Sequence, residues 1–325
     1  MATLFILISV LACVLLDLLV YADKPESTVS IERVVIVPAG YGFEAVSERL
    51  HQAGIIQNQV KFKLLARLRG YDKKIKAGEY LFPAALPPAK ILEIMVNGKA
   101  RLHKLTVPEG YNLCQIATII SKAGFKEAND FLNLATDFSF VHEQGIDADT
   151  FEGYLFPDTY YFPKNVTSKD IISIMIRRFR SLFVPAWQEH SRDLGFSVHQ
   201  VVTLASLIEK ETGASFERTI ISSVFHNRLK RKMRLESDPT VIYGIKNFDG
   251  NIKRKHLAAE TPYNTYVQKG LPYGPIANPG IKSIEAALYP AGTDFLYFVS
   301  KKDGTHEFST NIRDHNRAVI KYQLR

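Results

Sequence analysis

Two carboxylates lie close together in the stretch LASLIEKETG, which covers residues 204–213. Glu209 and Glu211 flank Lys210 at the end of an apolar run with helical spacing. A carboxyl group can act as a general acid when a partly apolar environment keeps it protonated near neutral pH. The pattern therefore raises two candidates for acid catalysis within one helical turn. Two solvated surface glutamates are the alternative interpretation.

Helical periodicity alone does not separate the two candidates. Ser197 is a helix-capping residue type and Gly213 a helix-ending one, so the spacing predicts a helix between them with both glutamates at the edges of its apolar face. Glu209 follows the small Ala205 and Val202 at helical spacing, whereas the other glutamate follows two leucines. Small neighbours leave room for a ligand, which slightly favours Glu209.

The segments after this helix carry polar and aromatic residues in non-helical loops. Tyr and Asn can stack on and hydrogen-bond a polyol, and Pro and Gly define loop shapes. Their concentration near a carboxylate suggests a saccharide groove, although each residue taken singly could be an ordinary turn position. The segments are FHNRL (225–229), SDPTVIYG (237–244), TPYNTY (261–266), GLPYGPIANPG (270–280) and HEFSTN (306–311).

Together with LASLIEKET, these motifs resemble in type and order those of the endolytic murein transglycosylase family, also called YceG-like. The resemblance runs over nearly the whole chain and departs from the family pattern at Lys232 and Tyr273. It implies cleavage of the β-1,4 bond between N-acetylmuramic acid and N-acetylglucosamine inside peptidoglycan strands, with a 1,6-anhydro end as product. A lyase of this type needs neither a cofactor nor a metal.

The resemblance also assigns residue roles. It makes Glu209 the catalytic acid and then the base, which requires a protonated carboxyl at the start and predicts an acidic to neutral activity optimum. Glu211 is expected to be structural, with hydrogen bonding near the groove as the alternative. Asp238 could instead cap a helix before Pro239. The expected substrate-binding or loop-organising residues are Asn227, Asp238, Tyr263, Asn264, Thr265 and Asn278.

An internal repeat precedes these motifs. VPAGYGFEAVSERLHQAGI (37–55) aligns without a gap with VPEGYNLCQIATIISKAGF (107–125), and GEYLFP (78–83) recurs as EGYLFP (152–157). Self-similarity of this kind indicates a duplicated unit. Each copy is predicted to begin with a β-rich run, continue as helix and end in an aromatic strand. The family resemblance makes the copies LysM-like, so they are either glycan-binding modules or spacers.

An apolar run at the N-terminus predicts a membrane anchor. Leu4–Ala22 holds one charge, Asp17, and would span about 28 Å as a helix. A cleaved signal peptide and a lipoprotein site at Cys13 are weaker alternatives because the basic n-region is missing and the apolar run continues past the cysteine. The resulting α+β organisation has an anchor (1–24), two repeat units (25–100 and 101–190) and a mixed α+β catalytic domain (191–325).

Composition limits the possible partners. The chain of 325 residues is 46% hydrophobic with net charge +8, and two cysteines provide neither a disulfide framework nor a metal-ligand spacing. A basic exterior favours an anionic cell wall or phospholipid, whereas nucleic acid is disfavoured. We expect the bacterial cytoplasmic (inner) membrane, with catalysis on its outer, periplasmic side and peptidoglycan synthases as partners. A hydrolytic muramidase and a non-catalytic wall-binding scaffold are the competing functions.

Overall fold

The computed structural model describes residues 2–25, 32–38, 40–83, 85–246 and 248–324. It has the mixed α and β composition that the sequence predicts, with helices and small two-stranded sheets in the described ranges. The chain divides into two compact units. Unit 1 comprises residues 1–104 and 161–166, and unit 2 comprises residues 105–160 and 167–325. The division into four segments that the sequence predicts stays a prediction.

The first part of the chain builds a hydrophobic core around one antiparallel strand pair. Val35 of the first strand lies opposite Tyr80 of the second, and both are buried. Three helices cover this pair with fully buried side chains such as Leu50, Phe62 and Leu92. The elements are α1 (Ala2–Asp23), β1 (Arg33–Val37), α2 (Phe43–Gln52), α3 (Gln59–Leu68), β2 (Gly78–Phe82) and α4 (Pro88–Asn97).

The predicted membrane anchor is not confirmed. The apolar run does form helix α1, but none of the helices in the described ranges combines the length and apolarity that a membrane crossing requires. The last turns of α1 instead pack on the core of unit 1 through Leu18, Tyr21 and Ala22. Asp17 forms an ion pair with Lys61 at 2.7 Å.

The rest of the chain is mainly helical, with two further strand pairs in the described residues, β3 with β4 and β5 with β6. The elements are β3 (His103–Thr106), α5 (Leu113–Lys122), α6 (Ala128–Ala135), α7 (Phe138–Glu143), β4 (Thr159–Phe162), α8 (Ser168–Leu182), α9 (Pro185–Asp193), α10 (Val198–Glu211), α11 (Arg218–Lys230), α12 (Asp238–Tyr243), α13 (Arg254–Leu257), α14 (Ile281–Leu288), β5 (Tyr297–Ser300), β6 (His306–Ser309) and α15 (Ile312–Tyr322).

The sequence repeat corresponds only partly to repeated structure. The first copy runs β1, α2, α3, β2, and the second runs β3, α5, α6, α7, β4. A relationship of these segments to LysM modules stays a prediction. Ala39, in the Val-Pro-x-Gly motif of the first copy, lies outside the described residues.

The prediction of an aromatic strand at EGYLFP is wrong. GEYLFP forms β2 as expected, but residues 152–155 form turns, and the strand begins later, at Thr159. Gly153 has φ +87°, a conformation that breaks an extended strand. A Cβ at this position would lie 2.6 Å from Pro275 and 2.7 Å from Val202. Close packing of this turn therefore replaces the strand pairing of the first copy.

Helix α10 is the central helix of unit 2. Ser197 caps its first turn by accepting a hydrogen bond from the Gln200 N–H at 3.2 Å, and Gln200 completes a capping box. Every side chain from Val201 to Ile208 is buried, so the helix is held on all sides until its last turn. It ends at Glu211 with Thr212 extended, one residue before the predicted Gly213. A rigid helix thus carries both candidate carboxylates at its end.

Candidate active site

Glu209 lies in the last turn of α10, where its carboxylate is almost enclosed. Its side chain is 7% exposed. Oε2 accepts a hydrogen bond of 3.0 Å from the Gly280 N–H at the start of α14, and Oε1 lies 3.7 Å from the Arg218 guanidinium at the start of α11. The carboxylate is therefore oriented by the beginnings of two other helices.

The loop before α5 approaches Glu209 from a distant part of the sequence. Gly110 adopts φ +74°, and a Cβ there would lie 3.4 Å from Glu209 Cγ. The Gly110 N–H donates to the Asn278 carbonyl at 2.9 Å, while Lys210 Nζ donates to the Gly110 carbonyl at 3.3 Å. This loop also carries Glu109. Glu109 is an exposed residue. Desolvation by the neighbouring groups raises the pKa of its carboxyl, the negative charge of Glu209 raises it further, and Arg218 opposes both effects.

Asn278 connects this loop to a second buried carboxyl. Its amide nitrogen donates to the Tyr111 carbonyl and to Glu152 Oε1, both at 2.9 Å, and its amide oxygen accepts from the Leu155 N–H at 2.9 Å. Glu152 Oε2 accepts from the Leu113 N–H at 3.1 Å and from the Tyr243 hydroxyl at 2.9 Å. Burial raises the pKa of Glu152 to about 7, although these three hydrogen bonds act to lower it.

A cavity of about 500 Å³ lies beside Glu152. Tyr263 lines this cavity. The centre of its ring lies 4.7 Å from the ring centre of Tyr243 and 6.2 Å from that of Tyr273. The Tyr273 hydroxyl donates to Asp149. The wall is thus a mixture of aromatic rings and polar groups, as a saccharide site would require. The lining residues are Phe138, His142, Asp147, Ala148, Asp149, Thr150, Glu152, His199, Tyr263, Tyr273, Gly274 and Pro275.

Glu211 points to a different place from Glu209. Its carboxylate accepts a hydrogen bond from the Ser237 hydroxyl, just before α12. Burial raises the pKa of Glu211 to about 7, the Ser237 hydrogen bond opposes this, and the nearby Asp238 raises it further. Asp238 is the first residue of α12 and accepts from the Tyr266 hydroxyl at 2.7 Å. The helix cap is Ser237, so the alternative capping role of Asp238 is wrong.

Three of the expected site residues hold loops together in the structure. Asn227 donates from its amide to the carbonyls of Thr293 (2.8 Å) and Phe295 (3.0 Å). Asn264 is buried and donates to three carbonyls between residues 256 and 259, at 2.7–3.2 Å. Thr265 is buried, and its hydroxyl accepts from the Ser237 N–H at 3.0 Å. These contacts agree with the loop-organising alternative for all three.

The structure brings Asn278 close to Glu209 through the 278–280 segment, and it places Tyr263 at the cavity beside Glu152. Asn227, Asp238, Asn264 and Thr265 make the separate contacts described above. Sequence reasoning missed Glu109, Glu152, Arg218 and Gly280. A signal was present in the repeat, because Glu109 replaces Ala39 of the first copy.

No group of three or more His, Cys, Asp or Glu side chains in the described ranges is placed to hold a metal ion.

The chain is similar to several known proteins along most of its length. The model of the YceG-like family matches residues 35–321. An endolytic murein transglycosylase of Bacillus subtilis is 34% identical over 88% of this chain and 83% of its own length. A protein of the same name from Streptococcus pneumoniae is 29% identical, and the chain spans 57% of it. The crystal structure of a YceG-like protein from Listeria monocytogenes, 34% identical, matches 88% of this chain and 98% of that one with a TM-score of 0.62.

Proposed function

The chain belongs to the YceG-like family, and from this membership we propose that it is a peptidoglycan lytic transglycosylase that cuts within glycan strands. Relatives named endolytic murein transglycosylase support the reaction class. The proposed bond is the β-1,4 link from N-acetylmuramic acid to N-acetylglucosamine, and the proposed product is a 1,6-anhydro-N-acetylmuramic end.

In the proposed mechanism, Glu209 acts twice. Its protonated carboxyl first gives a proton to the leaving O4 of N-acetylglucosamine as the C1–O4 bond breaks, and positive charge develops at C1. The C6 hydroxyl of the same muramic acid then attacks C1. As the O6–C1 bond forms, the hydroxyl proton passes to the Glu209 carboxylate, which restores the acid. No water is added, so one protein carboxyl can serve where a hydrolase uses two.

The single observation that carries this assignment is the placement of Glu209. Its carboxylate is almost enclosed at the end of a helix whose residues 201–208 are all buried, and the Gly280 N–H orients one of its oxygens. Positioning by a rigid element is what proton transfer at a defined atom requires. Glu211 lies only two residues further along the same helix, but its carboxylate accepts a hydrogen bond from the Ser237 hydroxyl instead.

The expected binding residues take more specific proposed roles. Tyr263 lines the cavity beside Glu152 and offers a ring on which a sugar could stack. Asn278 orders the 278–280 segment that reaches Glu209. Asn227, Asn264 and Thr265 organise the surrounding loops, and Asp238 fixes Tyr266. Peptidoglycan is the proposed substrate, and synthase partners remain a proposal from the family.

The decisive experiment digests defined glycan strands with the wild-type protein, Glu209→Gln and the matched control Glu211→Gln. We expect Glu209→Gln to lose at least about a hundredfold in rate, because general acid catalysis contributes on that order, while Glu211→Gln keeps most of the activity. Mass spectrometry should show anhydro ends, lighter by one water than reducing ends.

Three results would contradict the proposal. Full activity of folded Glu209→Gln would remove the assigned acid, and products with reducing ends would indicate a hydrolytic muramidase. Binding of wild-type protein to sacculi without any release of fragments would indicate a scaffold.

A further inference from the structure

Two carboxylates meet at Gly280. Its N–H donates to Glu209 Oε2 at 3.0 Å. On its Cα, the position that a side chain would occupy is taken by the other carboxylate, since a Cβ would lie 1.9 Å from Glu109 Oε1. Gly280 has φ −75°, which any residue can adopt, so the absence of a side chain here serves the contact rather than the backbone. The glycine thus leaves space for the Glu109 carboxylate beside its Cα, while its N–H holds the Glu209 carboxylate.

Arg218 is the nearby cation that acts on both Glu209 and Glu109. Arg218 supplies the ion pair to Glu209 among the described residues, at 3.7 Å, and it also acts on Glu109. Lys210 turns to the Gly110 carbonyl, and Glu211 to Ser237. Glu217 next to Arg218 is paired with His306 at 2.7 Å. The elements packed on α10 carry these further titratable or charged side chains: Glu189, His190, Arg192 and Asp193 on α9, His226, Arg228 and Lys230 on α11, Asp238 and Tyr243 on α12, and Lys282 and Glu285 on α14.

We propose that Glu109 is a positioning residue for catalysis, whose negative charge near Glu209 keeps the Glu209 proton available for the leaving group near neutral pH. This rests on the proposed role of Glu209 as the acid. Two neighbouring carboxyls resist double ionisation, because each negative charge disfavours the other. One nearby guanidinium cannot neutralise two carboxylates. The pair therefore retains a proton to higher pH than a lone carboxyl would.

The same arrangement accounts for both halves of the reaction. When Glu209 has given its proton to the leaving oxygen, the charge of Glu109 adds to that of the Glu209 carboxylate, and negative charge near C1 stabilises the positive charge that develops there. The doubly ionised pair is also a stronger base than one carboxylate. It therefore favours the transfer of the C6 hydroxyl proton to Glu209, which ends the cycle.

The first test measures kcat/KM for defined glycan strands across pH with the wild type and Glu109→Gln. The amide keeps the shape of the side chain and removes its charge, so the basic limb of the profile should move to lower pH by about one unit. Activity at neutral pH should then fall by about tenfold, while activity at acidic pH is retained. Glu189→Gln, on exposed Glu189 of α9, is the matched control and should keep the wild-type profile.

A second variant tests the geometry without removing the carboxylate. In Gly280→Ala the new methyl group must push the flexible end of Glu109 away, while the N–H to Glu209 remains. Its basic limb should move in the same direction by a smaller amount. An unchanged profile for Gly280→Ala, or an equal loss at every pH for Glu109→Gln, would overturn the proposal and leave Glu109 with a structural role.

A titration separates this inference from the proposed function. In protein with ¹³C-labelled glutamate carboxyls, the Glu109 resonance is assigned by its loss in Glu109→Gln and followed with pH. Its midpoint should move to lower pH in Glu209→Gln, because the Glu209 charge is removed. This shift would support the pair even if Glu209→Gln stayed active and the catalytic assignment failed. An unmoved midpoint would refute the pair even if Glu209→Gln were inactive.

Discussion

Glu152 is a buried carboxyl whose protonation is linked to folding. It is 3% exposed and accepts hydrogen bonds from Leu113, Tyr243 and Asn278. Burial raises its pKa from 4.5 to about 7. The folded protein therefore binds this proton more tightly than the unfolded chain does. The contribution of Glu152 to the free energy of unfolding is fully present below about pH 4.5 and is lost as the pH rises through about 7.

We predict that Glu152→Gln flattens the pH dependence of stability in this window. The contribution that disappears between about pH 4.5 and pH 7 in the wild type should be roughly 3 kcal/mol in the free energy of unfolding. The amide cannot accept all three hydrogen bonds, so the variant should also be about 1–3 kcal/mol less stable at acidic pH. Urea denaturation at a series of pH values measures both effects. Equal slopes with pH for wild type and variant would contradict the assignment of this pH dependence to Glu152.

Among the elements, the turn at residues 152–155 and the 278–280 segment both contact α10. Glu152 of the turn accepts a hydrogen bond from the Asn278 amide, and the Gly280 N–H of the segment donates one to Glu209. Gly153 lets the turn pack directly on α10 and on Pro275, with no space for a methyl group. Its neighbours there are a helix side chain and a proline ring, which move less easily than the end of a long side chain. The site is therefore sensitive to substitution in this turn.

We predict that Gly153→Ala destabilises unit 2 more than Gly195→Ala does. Both glycines have positive φ, +87° and +75°, so both substitutions add backbone strain. Only at Gly153 does the methyl group meet neighbours, at 2.6–2.7 Å, whereas nothing lies within 4 Å at Gly195. Overpacking should add roughly 1–3 kcal/mol to the cost at Gly153. Thermal unfolding of the two variants measures the difference, and equal losses would show that the close packing carries no energy.

At the scale of the whole molecule, α1 exposes a large apolar surface. Phe5, Ile6, Leu11, Leu15 and Leu19 are each at least 45% exposed, while the opposite side of the helix packs on the core of unit 1. Soluble monomers rarely expose large contiguous apolar patches, and such patches usually contact a membrane or another protein. Membrane attachment through α1 is accordingly our proposal for the location of the enzyme, with catalysis outside the cytoplasmic membrane.

We predict that Leu11→Lys with Leu15→Lys reduces the binding of the full chain to lipid vesicles. The two lysines replace exposed apolar side chains and leave the buried Leu18, Tyr21 and Ala22 intact. The loss should exceed tenfold, because burying two leucines contributes roughly 3 kcal/mol or more. Co-sedimentation with the vesicles measures it. Leu68→Lys, at an equally exposed leucine of α3, is the control, and a similar loss for this control would contradict a specific role of α1.

Local sequence signals predict the helix that carries the candidate carboxylates, and the motifs indicate the family. Capping by Ser197 and apolar periodicity are local signals, so the position of α10 and its carboxylates followed from residues close in the chain. The ordered motifs identified the YceG-like family, and the family model confirms it. The motifs also mark turn residues such as Asn264 and Thr265, but their residue type does not distinguish a loop contact from a substrate contact.

Which carboxyl groups come together depends on contacts between residues that are far apart in the chain. Gly110 and Lys210 are one hundred residues apart and meet through a hydrogen bond, and Asn278 reaches Glu152 across 126 positions. No local pattern encodes such contacts, because they depend on how loops from separate elements pack. For the same reason GEYLFP and EGYLFP adopt different structures. The first pairs with β1, whereas the second is held by the packing of Gly153 on α10 and by the buried hydrogen bonds of Glu152.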